Sequence, residues 1–367
     1  MSLSGSRSIG FIITAVLAVL LVLAFALRLP CGREAQGPAS ARAPSSGAAV
    51  PSAARSANTA TVSGPTAAEA RAAIDRALPW LEQTRIRPVG EGLERIRFFT
   101  MEVHSWFTLY AFADDKAQKE RYRREAVERL KLLGDGSALA DFLTGARMPD
   151  LIADVLMLEI MARSLEVPLP ALERALPALY ERGSDPRRPA AVQITLAWLA
   201  GSAGLDVQPS LEQLRPQGML QMLPREITMK APDVYYLTHE IFALTDYGFR
   251  RGSFAPETQA YLERSLSFWA LLNAILEQTD LEAEIAICHQ AAGTTGTYGY
   301  GEGLRYLLTK QTPDGGFGES NLKSDDPYDI RLGRLHTMMV ALHALLGHEA
   351  LLQKGALPGW PALRSIR

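Results

Sequence analysis

Six segments of this chain are apolar nearly all the way round, and all but one stop at a small residue or a glycine. They are His104 to Ala113, Asp150 to Leu165, Ala190 to Gly204, Tyr235 to Gly248, Asp280 to Gly293 and Leu335 to Gly347. A helix without a polar face has to be buried, whereas one with a charged face lies at the surface. Between successive members of the set runs a more polar, amphipathic segment such as Glu257 to Gln278. Corresponding points in the last three members, His239, Cys288 and His336, stand 49 and 48 residues apart. The earlier members recur at roughly 40–50 residues, the spacing of stacked helical hairpins. Six buried helices alternating with six amphipathic ones describe an all-α fold, a closed double ring or (α/α)6 toroid. An open α-solenoid is the alternative, because both are stacks of helix pairs.

The rest of the chain after residue 66 agrees with a helical reading. Apolar residues recur at helical spacing in Ala67 to Glu82, Arg121 to Leu133, Leu151 to Leu165, Leu172 to Glu181, Ala260 to Glu277 and Arg334 to Leu346, and strand-like alternation is almost absent. Pro168 to Pro170, Gly183 to Pro189, Gly201 to Gly204 and Gly293 to Gly303 supply the stops and connections between them.

The N-terminal end is different in kind. No charged residue occurs from Ser8 to Leu27, and Phe11 to Leu27 is almost wholly Ile, Val, Leu, Ala and Phe. At ~1.5 Å per residue such a run is about 30 Å long and matches a bilayer's hydrocarbon core. A cleaved signal peptide has a shorter apolar region and a small-residue cleavage site. Phe25-Ala26-Leu27-Arg28-Leu29-Pro30-Cys31 offers no such site, so an uncleaved single-pass anchor is expected. The expected organisation is a short tail over 1–9, a transmembrane helix over 10–27, a flexible stalk rich in Ala, Pro and Ser over 28–65, and an all-helical domain over 66–367. Arg28, Arg33 and Arg42 against Arg7 lean by charge toward a cytoplasmic domain. The stalk points the other way, to an extracytoplasmic domain held off the membrane surface, and that is the placement expected.

Composition removes some classes of function. Lys+Arg 38 against Asp+Glu 40 leaves a net charge of −2, without the basic face that nucleic-acid binding needs. The two cysteines, Cys31 beside the apolar run and Cys288 deep in the domain, make no disulfide framework. Nothing in the sequence sets an oligomeric state.

One stretch resembles a known family of rings. Gln311-Thr312-Pro313-Asp314-Gly315-Gly316-Phe317-Gly318 resembles the Q-x-x-D-G-G-[FW]-G motif of the terpenoid cyclase and protein prenyltransferase toroids. In those families the motif joins an outer helix to the next inner one, so the resemblance implies the toroid and a tight turn at its glycines. Gln311 and Asp314 are then placed to hydrogen-bond free helix ends. The cyclases' clustered aspartates are absent, because Asp325-Asp326 has no such surroundings. Leu237-Thr238-His239-Glu240-Ile241-Phe242-Ala243-Leu244-Thr245-Asp246-Tyr247-Gly248, Asp280 to Gly293 and Leu335-His336-Thr337 are similar to the core of an uncharacterised bacterial helical family. That family is found mainly in actinobacterial gene neighbourhoods for secondary metabolites and has no established activity.

If the ring closes, its inner helices face one cavity. His239, Cys288 and His336 lie near one level of three successive inner helices. A thiolate and two imidazoles make a Zn²⁺ ligand set with one position open for chemistry. Glu284, one helical turn before Cys288, serves as general base or fourth ligand. Asp246, seven residues after His239, falls on the same helix face as a further candidate catalytic group. The expected chemistry is metal activation of a water or thiol. Protein prenyltransferases hold zinc with Asp, Cys and His on inner helices, and lanthionine cyclases carry an adjacent Cys-His pair that Cys288-His289 resembles. Here Gln290 replaces the glycine after that pair, and no second domain cysteine exists.

Simpler readings stand beside this one. A buried cysteine often behaves as a small hydrophobe, and a histidine on an apolar helix is often a core group bonded to a carbonyl. His104 and His343 are read as structural, and Glu159 with Arg163 as an i,i+4 helix pair. A glycoside hydrolase or polysaccharide lyase would use two carboxylates across a cleft, drawn from Glu240, Asp246, Asp280, Glu282 and Glu284. For sugar platforms the tryptophans are scattered, while Tyr235, Tyr236, Tyr298 and Tyr300 cluster better. The third reading is a non-catalytic module that binds a peptide, a lipid, a small molecule or a partner protein in or around the cavity.

Overall fold

The computed structural model describes residues 62–88, 94–145, 151–319 and 325–361. The expected membrane segment over 10–27 and nearly all of the expected stalk lie outside the described residues. Fourteen α-helices follow one another among the described residues: α1 (Ala67–Glu82), α2 (Glu94–Phe112), α3 (Lys116–Leu130), α4 (Ser137–Gly145), α5 (Ile152–Ser164), α6 (Pro170–Gly183), α7 (Ala190–Ser202), α8 (Leu211–Leu214), α9 (Met219–Met222), α10 (Ala231–Leu244), α11 (Pro256–Leu276), α12 (Thr279–Ala292), α13 (Tyr298–Thr309) and α14 (Pro327–Lys354).

Six of them form a closed inner ring. Helix α2 packs on α5, α5 on α7, α7 on α10, α10 on α12, α12 on α14, and α14 returns to α2. That last contact decides against the open solenoid. These are the six segments that lack a polar face in the sequence, and hydrophobic burial on both sides gives the reason. In α12 every residue from Leu281 to Ala292 is buried. In α14, Leu335, Leu342 and Leu345 are wholly enclosed, each stabilising the fold by ~1.5–3 kcal/mol relative to exposure.

The outer layer is less regular than the expected six amphipathic helices. Helices α1, α3, α6, α11 and α13 flank α14, α2, α5 and α12, but between α7 and α10 the outer position is taken by the two single turns α8 and α9. Pro209, Pro216, Gly218 and Pro224 punctuate that stretch; a proline lacks the N–H and crowds the preceding turn, so no long helix can run through it. Helix boundaries also moved. Helix α2 begins ten residues before His104, and α14 starts at Pro327, behind an Asp326 cap whose side chain accepts from the Tyr328 N–H.

The glycine-rich motif makes the turn after α13. Gln311 donates to the Ala73 carbonyl of α1 at 2.8 Å and to the Gly315 carbonyl at 3.1 Å, and it accepts from Arg76. Asp314 pairs with Arg334 of α14 at 3.1 Å rather than capping a free helix end. The motif therefore ties the last outer helix to the first. The entry to the domain is fixed as well: the Ser63 N–H donates to the Thr295 carbonyl at 2.9 Å, and His348 Nε2 lies 2.8 Å from the Pro65 carbonyl. Residues 63–65, expected as the end of the stalk, are thus fastened to the ring.

Among the described residues one helix, Tyr328–Lys354, is long and apolar enough to cross a membrane, and 89% of its apolar 18-residue stretch is buried inside the protein. As the longest member of the inner ring it is a core helix.

Candidate functional site

The ring encloses a cavity of about 440 Å³. Its lining comes from the N-terminal halves of α2, α5 and α14, from Thr195 and Leu199 of α7, and from His239 of α10. Phe98, Met101, Met157, Leu199, Leu332 and Met339 make most of the wall apolar. Arg97 and Asp154, 3.4 Å apart, lie on the α2–α5 side, where burial raises the Asp154 carboxyl to about 6 against the pull of Arg97.

The polar wall opposite is built around one carboxylate. Glu284 of α12 is 1% exposed, and a charge so placed needs partners. Its Oε2 accepts from the Thr238 hydroxyl at 2.7 Å. Its Oε1 is left facing two imidazoles: His239 Nε2 at 3.9 Å and His336 Nε2 at 3.6 Å. These are close approaches rather than formed hydrogen bonds. The two rings stand between the carboxylate and the cavity, with 41% and 28% of their side chains exposed. Burial opposes a charge on His239, but Glu284 outweighs it and raises the imidazole pKa above its ordinary value. On its other side His336 Nδ1 lies 3.8 Å from Asp280 Oδ2, and Asp280 accepts from the Tyr235 hydroxyl. His336 and Gly333 also line a second, more polar cavity of about 190 Å³, together with Asp280, Thr279 and Thr337.

The sequence expectation for this site is corrected in two places. Cys288 does not join His239 and His336. It is fully buried, its thiol points to the Thr238 carbonyl at 3.8 Å, and burial and the charge of Glu284 push it well above the usual thiol range. The level that matches the two histidines lies one turn earlier on α12, at Glu284. Asp246 is not on the face of His239 either, because α10 ends at Leu244 and Asp246 and Tyr247 adopt φ +49° and +57°. Asp246 instead pairs with Arg250 at 2.6 Å, and the turn delivers Tyr247 to the cavity. Among the described residues no group of three or more His, Cys, Asp or Glu is arranged to hold a metal ion.

The remaining candidates fall in separate places. His289 turns away from the cavity and bonds Thr294 Oγ1 at 2.7 Å. Glu240 accepts from the Met219 and Leu220 N–H groups and so caps α9. Glu282 is buried on the outer side, against Gly303 of α13. Tyr300 is buried against His348 and Gln290, while Tyr298 is exposed. Glu159 and Arg163 form the expected helix pair at 2.5 Å. His343 is buried against Phe112 and Phe249, as a structural group should be. His104 is buried too, packed against Tyr247 and Trp360 at the edge of the cavity lining. Arg97, Asp154 and His104 carry no spacing signal in the sequence; only ring closure brings α2 and α5 opposite α10 and α14.

Fold and site together define an α/α toroid with a carboxylate-backed histidine pair on the wall of its central cavity. By its sequence from 74 to 346 the chain belongs to the family described as Domain of unknown function (DUF6895). No curated protein matches it. Among solved structures it is similar to the apo type II terpene cyclase MstE from Scytonema, at 11% identity over 78% of this chain and 100% of that one, with a TM-score of 0.45. Closure of the ring stands on the helix contacts themselves.

Proposed function

We propose that this protein is an enzyme that transfers protons on a small molecule held in the central cavity, with His239 and His336 as the reacting groups and Glu284 positioning them. One observation carries this reading: two cavity-facing imidazoles approach the same oxygen of a buried carboxylate whose other oxygen is already satisfied. A buried carboxylate close behind an imidazole favours its protonated form, and a small approach of ring and carboxylate would complete the hydrogen bond that orients the ring. His239, with its raised pKa, is suited to give a proton, and His336, approaching the same carboxylate oxygen, faces the same cavity as the second reacting group.

Binding of a divalent metal by His239, Glu284 and His336 is the second reading. The separations of 3.9 and 3.6 Å from one carboxylate oxygen are somewhat wider than the ~3.3 Å between two ligands of a tetrahedral zinc ion. A modest inward movement would be needed, so proton transfer is preferred.

The test has two arms. Full-length protein without a histidine tag is assayed for bound metal by elemental mass spectrometry, and it is incubated with small-molecule extracts of its host alongside Glu284→Gln. Compounds consumed by the wild type should be consumed at least a hundredfold more slowly by the variant. Identical consumption by both would remove the proposal. A stoichiometric metal lost in His239→Ala and His336→Ala but kept in Cys288→Ala would replace proton transfer with the metal reading. We further propose that residues 10–27 anchor the protein to a membrane, on the strength of an uncharged apolar run of bilayer length.

A further inference from the structure

We propose that Tyr247 is a further catalytic residue of the central cavity: its phenol donates a hydrogen bond to a carbonyl oxygen of the substrate, which is therefore a carbonyl compound. The binding contact stands on geometry, and its part in the reaction rests on the proton-transfer reading above.

Tyr247 reaches the cavity through a strained turn. Asp246 and Tyr247 take left-handed backbone angles, φ +49° and +57°, and Gly248 follows at +80°. That region is disfavoured for a bulky side chain. Such residues persist only where their surroundings hold them, commonly at functional sites. The hold is visible here. The Tyr247 N–H donates to the Phe242 carbonyl at 2.7 Å, and Arg250 pairs with Asp246 at 2.6 Å and donates to the Leu244 carbonyl at 2.8 Å. The ring is packed by Phe242, His104 and Trp198, with centroids 4.8, 5.0 and 6.1 Å away. Its hydroxyl bonds to no described residue, yet it is not sealed from solvent as the His104 and His343 Nε2 atoms are. A strained turn that brings one accessible O–H to a cavity points to a ligand atom there.

The surroundings choose that atom. Burial, then the charges of Glu284 and Asp154, push the phenol up, so near neutrality it keeps its proton to donate. The same two charges disfavour a carboxylate beside it. Arg97 and Asp154 pair with each other at 3.4 Å, Glu94 is exposed, and Glu284 lies behind His239 and His336. None of these charged groups takes the acceptor's place at the phenol. A carbonyl oxygen is the uncharged acceptor that proton transfer at carbon requires. When an imidazole takes a proton from the carbon beside the carbonyl, the C–H pair becomes a C=C bond and the C=O π pair moves onto oxygen. The Tyr247 O–H meets the charge growing there. Return of a proton from an imidazole to carbon restores the carbonyl, and no oxidant or further reactant is consumed.

The test uses two probes of one shape: acetophenone, labelled with carbon-13 at its carbonyl, and α-methylstyrene, which carries a methylene where the ketone has oxygen. Each is titrated calorimetrically into the full-length protein in lipid nanodiscs, with empty nanodiscs subtracted, and the labelled carbonyl is followed by NMR. Acetophenone should bind saturably, with its carbonyl resonance moved downfield of its position in an apolar solvent. Tyr247→Phe should return the resonance and weaken acetophenone about fivefold, while α-methylstyrene should change by less than about twofold. If Tyr247→Phe proves misfolded by its melting curve, Tyr247→3-fluorotyrosine decides, since a stronger donor of nearly the same shape should move the resonance further downfield. Glu284→Gln should keep the shifted resonance, so a failed proton-transfer assignment would leave this contact standing. The assignment of Tyr247 is overturned if acetophenone does not bind, if its resonance is unshifted or does not respond to the change at Tyr247, if α-methylstyrene weakens equally, or if Glu284→Gln loses the shift.

Discussion

Glu284 shows how one residue organises a wall. Thr238 takes one of its oxygens at 2.7 Å, and the other is shared between His239 and His336. The consequence for His239 is measurable. Its folded pKa is raised above the ordinary 6.5 by Glu284, so its protonated form contributes stability that is complete below the ordinary value and is lost as pH rises through the raised one. In Glu284→Gln the charge is gone and burial remains. The His239 midpoint, followed by NMR of the imidazole protons, should fall to or below the ordinary value, and the extra stability of the wild type at low pH should fall with it. An unchanged midpoint would mean that Glu284 does not act on His239. Cys288 teaches the converse: a titratable group one turn away, fully buried and hydrogen-bonded to a backbone carbonyl, is packing.

Elements are set by turns as much as by helices. The turn from Gln311 to Gly318 holds α13, α1 and α14 together, and Gly315 is its narrowest point. Its φ is +92°, and a Cβ built there would stand 2.0 Å from the Arg76 carbonyl oxygen. Backbone is met there, so no side chain can give way. Gly315→Ala should therefore destabilise the protein by about 3 kcal/mol or more, combining strained backbone with a clash. Chemical denaturation of the two proteins checks this; a loss under about 1 kcal/mol would show that the turn is free to move. The fragmented outer position between α7 and α10 obeys the same local logic, with prolines and a glycine where a helix would otherwise run.

At the scale of the whole molecule, closure of the ring creates the cavity, and the cavity creates the site. The entry of the chain is fastened by Ser63 and Pro65 to Thr295 and His348, so the N-terminal segment leaves from a fixed point on the domain. If residues 10–27 are an anchor, the full-length protein should stay in the membrane pellet after alkaline carbonate extraction, and a variant lacking residues 1–27 should appear in the supernatant. Release of the full-length chain by carbonate would end the anchoring proposal.

All six inner helices were legible in the sequence because burial on every side erases the polar face, and that erasure is written residue by residue. The motif at Gln311 to Gly318 was legible because tight turns demand glycine. Two features of the site were not. Placing Cys288 at the level of His239 and His336 assumed equal axial register, whereas α12 is set one turn along its axis, so that Glu284 meets the imidazoles and Cys288 packs against the Thr238 carbonyl of α10. Placing Asp246 on the face of His239 assumed that the helix continues through Asp246, whereas it ends at Leu244. His104, Arg97 and Asp154 share no local pattern with the histidine pair, and only the closing contact between α14 and α2 brings them to the same cavity. Periodicity records which side of a helix is buried; which neighbour it is buried against is decided by packing between segments far apart in the chain.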